Sequence, residues 1–277
     1  MRRIVDISAP LRAGIASDPP GMEPSIVYRD HTDTVPGLLS FFPGLRREDL
    51  PGGEAWALEE LRITTHNGTH LDAPYHYHST QDGGRPAMRI DEIPLEWCFA
   101  PGVKLDFRHF ADGYVAGAAD VEAELDRIGY RLSAGDIVLV NTSAGAKYGR
   151  DDYVTSGCGV GREATSYLLD RGVRVTGTDA WSWDAPFVHT ARRYAATGDP
   201  SIIWEGHRAG METGYCHIEK LHNLESLPAF GYMVACFPFK IEAASAGFTR
   251  AVAIFEEPHG RNPNAVQDRP IREGEAR

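Results

Sequence analysis

The chain is poor in the features that mark several common protein classes. Its 277 residues contain four cysteines, Cys98, Cys158, Cys216 and Cys236, and no two of them form a C-x-x-C pair. That argues against a disulfide framework or a cysteine metal knuckle, and the four read as buried, reduced thiols. Positive charge is also scarce: 28 Lys and Arg stand against 39 Asp and Glu, a formal net charge of -11, and the basic residues are scattered. Without a basic face, neither nucleic acid nor an anionic membrane is an expected partner. No apolar run approaches the roughly 20 residues that span a bilayer. Met1 to Asp6 enter a strand-like pattern with no signal-peptide stretch, so a cytoplasmic location is expected. There is no internal repeat and no low-complexity linker. A glycine-rich segment, Gly157-Cys158-Gly159-Val160-Gly161, places Arg162 where a dinucleotide loop needs its third glycine. It reads as a turn and helix start instead.

What is present suffices for a globular core: 42% of residues are hydrophobic and 10% aromatic. Ile4 to Ile7 predict a first strand, followed over 10–52 by a long irregular excursion rich in Pro, Gly and Asp, of the kind that covers a site. Residues 56–66 look extended, and 102–107, 136–142 and 173–179 predict buried strands. Between them, Ala118 to Gly129 has helical spacing, with Val121, Leu125 and Ile128 on one face, and Glu163 to Arg171 predicts a second helix ended by Gly172. Met233 to Phe239 and Ala251 to Glu256 predict the last strands. Alternating strands and helices imply an α/β fold with a mixed sheet. One domain over 1–277 is expected, with a polar tail after about 258.

The chemistry concentrates in His66-Asn67-Gly68-Thr69-His70-Leu71-Asp72-Ala73-Pro74-Tyr75-His76. A helix would turn Asp72 away from His66 and His70, and Gly68 and Pro74 disfavour one. A straight strand fails too, since four residues span roughly 13 Å. Asn67-Gly68 is a turn signal that brings His66 back beside His70, and extended chain from His70 puts Asp72 on the same side, roughly 7 Å along. Two imidazoles and a carboxylate can then converge on one zinc, manganese or iron ion. Taken singly, His78 and His217 read as structural.

This segment matches H-x-G-T-H-x-D-x-P-x-H in full, and the chain thereby resembles the putative cyclase family, which includes bacterial kynurenine formamidases, isatin hydrolases and related amide or lactone hydrolases. Looser similarity runs through Gly177-Thr178-Asp179 and Glu205-Gly206-His207 to Ser245 and Arg250. The resemblance implies a swivelling β/β/α architecture. It also implies that His66, His70 and Asp72 bind a first metal, and that Asp72 bridges to any second one. His76 corresponds to the catalytic histidine, and His207 with Glu219, twelve residues on, completes the ligand set. The spacing itself does not select these two, because His217 and His222 lie close by. Kynurenine formamidases use two zinc ions and isatin hydrolases one manganese, so one or two Mn2+ or Zn2+ ions are implied, as is a homo-oligomer.

Other residues carry weaker signals. Asp179 follows a predicted strand and suits either orienting a liganding imidazole or closing an Asx turn or cap. Trp181, Trp183 and Phe187 suit core or interface packing, or the lining of a pocket for a flat substrate. Ser245 lacks a Gly-x-Ser-x-Gly elbow and so reads as a substrate contact rather than a nucleophile. The expected function is metal-dependent hydrolysis of an amide, lactam or lactone in a small aromatic or carboxylated compound, with isatin-type ring opening ahead of formamide cleavage. The non-enzyme alternative is a metal-binding protein, against which a spare base at His76 argues.

Overall fold

Strict alternation of apolar side chains, one set to each face, builds the centre of a nine-stranded mixed sheet. The computed structural model describes residues 2–256. Its main strands are β1 (Arg2–Asp6), β2 (His70–Asp72), β3 (Phe99–Asp106), β4 (Ile137–Asn141), β5 (Val175–Thr178), β6 (Cys216–Glu219), β7 (Phe230–Ala235), β8 (Ala246–Phe248) and β9 (Val252–Glu256). Their order is β1-β9-β7-β3-β4-β5-β6-β2-β8. The four central strands β3 to β6 are parallel, and antiparallel pairs extend the sheet on both sides. In β4, Ile137 and Leu139 enter one apolar cluster while Val138 and Val140 enter another on the opposite face. Burial on both faces is what a central parallel strand requires.

Helices α1 (Val35–Phe41), α2 (Pro74–Tyr77), α3 (Ala118–Ile128), α4 (Arg162–Asp170), α5 (Phe187–Thr197) and α6 (Glu205–Arg208) complete the regular structure with several 3-10 turns. Val121 and Leu125 of α3 and Ala164 and Leu168 of α4 bury against Val103, Leu105, Val138 and Val140, with Ile128 packed alongside. Gly129 ends α3 in the left-handed conformation at φ +67°, a common glycine stop. Thus both predicted helices form within a residue or so of their expected ends.

The predicted strands form with small shifts, and three differences have physical causes. The expected strand over 233–239 begins earlier, at Phe230, because it pairs with β3, and leaves the sheet before Pro238, which has no N–H to donate. The 10–52 excursion is less irregular than expected. It contains α1 and the strand Ser25–Arg29, which pairs antiparallel with Leu58–Arg62 in a separate ribbon. Helix α5 was not anticipated: Phe187, Ala191 and Tyr194 share one of its faces, but they line a surface cavity and no residue of the helix is buried. All four cysteines are free and buried. No helix of the described residues is long and apolar enough to cross a membrane. The tail expected after 258 lies outside the described residues.

Leu139 is fully buried at the centre of β4. Leu139→Ala should lower the unfolding free energy by about 2–5 kcal/mol through lost burial and a residual cavity. A urea titration followed by circular dichroism checks this, and an unchanged midpoint would contradict the assigned core.

Candidate metal centre

The centre is built on the register of two antiparallel strands. In the pairing of β6 with β2, His217 lies opposite Asp72 and Glu219 opposite His70. Side chains two apart share a face, so all four project to the same side of the sheet. His217 Nε2 approaches Asp72 Oδ2 at 3.1 Å and Glu219 Oε1 at 3.3 Å. His70 Nε2 lies 3.3 Å from Asp72 Oδ1 and 3.6 Å from Glu219 Oε2.

Three more imidazoles arrive from the connections. The turn before β2 closes through Asn67 N–H to the Thr64 carbonyl at 3.2 Å, and Asn67 Oδ1 accepts from Thr64 N at 2.7 Å. Thr65 and His66 are its central residues, and Gly68, just after it, takes a positive φ, +61°. The turn returns His66 to the cluster, with Nδ1 2.9 Å from Asp72 Oδ1. After β2, Pro74 opens the single turn of α2 with its φ already helical. That turn swings His76 back over the strand, 3.8 Å from Asp72 Oδ2, with its ring 4.1 Å from that of His66. His207 enters from α6, its Nε2 3.7 Å from Glu219 Oε1.

Hydrogen bonds to the opposite ring nitrogens fix two tautomers. His70 Nδ1 lies 2.8 Å from the Gly68 carbonyl, which can only accept, so Nδ1 carries the proton and Nε2 presents its lone pair to the cluster. Asp184 Oδ2 accepts from His207 Nδ1 at 2.5 Å, and the same carboxylate accepts from the backbone N–H groups of Gly206 and His207. A carboxylate–histidine pair of this kind orients a metal-binding ring and raises its basicity. Trp204, just before α6, sits at φ +59°, rare for a bulky residue, and stacks on His207 with centroids 4.4 Å apart.

The donors fit a cation. His70 Nε2, His217 Nε2 and both Asp72 carboxylate oxygens are buried yet lack a well-formed hydrogen bond. Groups this close without hydrogen-bond geometry are aimed at a common point rather than at one another. One donor each from Asp72, His207, His217 and Glu219 lie within 4.8 Å of one another, and so do one each from His66, Asp72 and His76. Asp72 belongs to both groups, an arrangement compatible with one or two ions. The expected trio of His66, His70 and Asp72 thus becomes a wider set, in which His76 is near enough to be a ligand as well as a base.

The titration of the cation-free cluster reflects the same crowding. Burial would raise the Asp72 carboxyl, but His76, His70 and His66 hold it well below the usual range. Burial likewise opposes ionisation of Glu219, which the adjacent His217 nevertheless brings down to about 2. For His217 burial favours the neutral ring, and the carboxylates of Asp72 and Glu219 outweigh it, lifting the pKa to about 9. Burial dominates at His76, and with the positive influence of His66 and His207 it lowers the ring to about 4 despite Asp72. His66 is also desolvated, but Asp72 raises it.

A pocket of about 370 Å³ opens above the cluster, lined by His66, His76, His207 and Glu219 below and by Trp181, Phe187 and Trp204 at the side. Trp183 instead is fully buried in the core, its indole donating to Thr165 Oγ1 at 3.0 Å. Ser245 Oγ stands 3.3 Å from His66 Nε2. Asp179 orients no imidazole: its carboxylate accepts from Asn141 Nδ2, the Thr142 backbone and the Thr142 hydroxyl, tying the ends of β4 and β5 together. Burial raises it to about 7. His78 is exposed and bonded to Thr80, outside the cluster. His217, read from sequence as structural, belongs to the cluster. The available signal was its i, i+2 spacing to Glu219 on one strand face.

A family model described as "Putative cyclase" matches residues 5–185. A kynurenine formamidase of Salinibacter ruber is 30% identical over 196 residues, covering 70% of this chain and 78% of its own. Another, of Erythrobacter litoralis, is 25% identical over 252 residues, covering 91% and 93%. Among solved structures, isatin hydrolase A from Ralstonia solanacearum aligns with a TM-score of 0.72 at 23% identity, over 92% of each chain. An isatin hydrolase bound to the product analogue thioisatinate aligns at 0.70 and 19% identity, over 92% of this chain and 93% of that one. At these identities the structural likenesses establish the shared fold.

With His217 protonated below about pH 9 in the cation-free protein, metal binding through its Nε2 must displace that proton. Between pH 7 and 8 the affinity for Zn2+ or Mn2+ should therefore tighten by up to about tenfold, levelling above pH 9. Competition against a chromophoric chelator measures this. An affinity independent of pH over that range would remove His217 from the ligand set.

Proposed function

The chain belongs to the putative cyclase family, and on that premise we propose that it is a metal-dependent hydrolase cleaving an amide, lactam or lactone bond in a small aromatic compound. The observation that carries this reading is the cluster of two carboxylates and five imidazoles, buried except at His66 and His76, with four buried polar atoms aimed inward and unpartnered. His66, His70, Asp72, His207 and Glu219, joined by His217, would hold one or two divalent ions, Mn2+ or Zn2+. When bound, such an ion supplies Lewis-acid polarisation of the scissile carbonyl and acidifies water at neutral pH.

The residues of the chain supply the rest. His76 borders the pocket, and its lowered pKa of about 4 keeps the ring neutral at physiological pH. A neutral imidazole can accept a proton from the attacking water and return it to the leaving nitrogen or oxygen. Asp72, 3.8 Å from His76 Nε2, would stabilise the imidazolium in between. Trp181, Phe187 and Trp204 offer flat apolar faces to an aromatic ring. Those walls and the fold shared with isatin hydrolases favour ring opening of an isatin-like lactam. Formamide cleavage of N-formylkynurenine is the second reading, favoured by the 30% identical kynurenine formamidase. A cytoplasmic homo-oligomer completes the proposal, and light scattering on purified protein tests the assembly.

Hydrolysis of a panel of aromatic lactams, formanilides and lactones should vanish after treatment with a chelator and return with Mn2+ or Zn2+. No hydrolysis by fully metal-loaded protein would favour a binding function instead.

The role of His76 is separable from that of the ligands. His76→Ala should keep near-normal metal content while kcat falls about 10²- to 10⁴-fold, the range for a positioned acid–base group. In the parent enzyme the acid limb of kcat/KM should lie well below the pH 6–7 of an ordinary imidazole, because base activity is lost only as pH falls through the lowered pKa. Loss of metal in the variant would make His76 a ligand, as its place beside His66 and Asp72 allows.

A further inference from the structure

Lys220 follows Glu219 directly, and its ammonium is almost completely buried, at 1% exposure. It forms an ion pair with the buried Asp18 and donates to the His66 carbonyl at 2.8 Å. The second Asp18 oxygen accepts from Ser17 Oγ at 2.9 Å. The backbone of Lys220 adopts φ +57°, a left-handed conformation uncommon for lysine. It is held there by Lys220 N–H to the Ala180 carbonyl at 3.0 Å and by Thr69 Oγ1 to the Lys220 carbonyl at 2.6 Å.

The partner of this lysine belongs to the long amino-terminal excursion. Asp18, Pro19 and Met22 line the pocket above the cluster. The same segment is tied a second time to the histidine-bearing turn, where Asn67 Nδ2 donates to the Met22 carbonyl at 2.9 Å. A buried ion pair is a costly way to stabilise a fold, and apolar residues of similar volume often serve as well or better. What a buried pair adds is a single allowed geometry. Here that geometry joins the segment over the pocket to the strand end that carries Glu219 and to the backbone of His66.

We propose that Lys220 is a positioning residue that fastens residues 16–22 as the roof of the pocket, setting how tightly substrate is held rather than the rate of the chemical step. The kinetic half of this proposal rests on the hydrolase reading above; the fastening itself does not.

The test compares metal-loaded Lys220→Met and the double variant Lys220→Met/Asp18→Asn, which leaves no unpaired charge, with the parent enzyme. Hydrogen exchange of the 16–22 amides should accelerate by at least about tenfold in both, while β4 stays protected. For whichever panel compound the parent turns over, KM should rise about tenfold or more with kcat within about threefold. Parent-like protection of 16–22 in the double variant would reduce the pair to a stability element and overturn the proposal, as would a fall in kcat at constant KM. If Lys220→Met does not fold, the double variant decides alone. Faster exchange in a protein whose parent form hydrolyses nothing would leave the fastening intact and count against the hydrolase reading only.

Discussion

Asp72 has no solvent exposure, and a carboxylate in that position is costly unless positive charge surrounds it. Its oxygens lie 2.9–3.8 Å from the rings of His66, His70, His76 and His217. None of these approaches makes it a fully hydrogen-bonded group, and the same rings keep it ionised despite burial. A divalent cation would satisfy the carboxylate and the inward lone pairs together. Much of the surrounding structure can be understood as what is needed to hold those groups against one another in the absence of water.

The sheet provides that rigidity in a particular way. Its parallel centre has both faces buried, and antiparallel β2 and β8 extend it beyond β6. Cross-strand pairing at β2 and β6 sets four donors on one face of the sheet. The groups from connections are each tied back: His66 by the Asn67 turn, His76 by the turn of α2, and His207 by Asp184. Strands supply four of the donors and hydrogen-bonded turns the remainder.

Chemistry and selectivity occupy different parts of the molecule. The candidate metal cluster is centred on β2 and β6 of the sheet. The pocket walls come from the Trp181–Phe187 stretch, Trp204 and the 16–22 segment. These are connections, which can vary without disturbing the strand register beneath.

Much of this was legible in the residues themselves. Apolar alternation and helical spacing located β3, β4, β5, α3 and α4, because those elements bury regular faces. The close spacing of His66, His70, Asp72 and His76 about Asn67-Gly68 pointed to a candidate centre from local chemistry alone. His207 and Glu219 came only from the family pattern, since their separation has no local geometric meaning. The place of His217 and the tie from Asp184 to His207 were hidden for a related reason: both depend on contacts between segments far apart in sequence, and the turn before α6 reveals neither. Likewise Asp179 met backbone and side chains at the end of β4 rather than an imidazole, an outcome decided by strand order. The sequence by itself determined that several cation-binding side chains crowd into residues 66–76 and which segments had to be buried. The tertiary structure decided which donors face one another, because strand register and chain crossover, unlike periodicity, are not local properties.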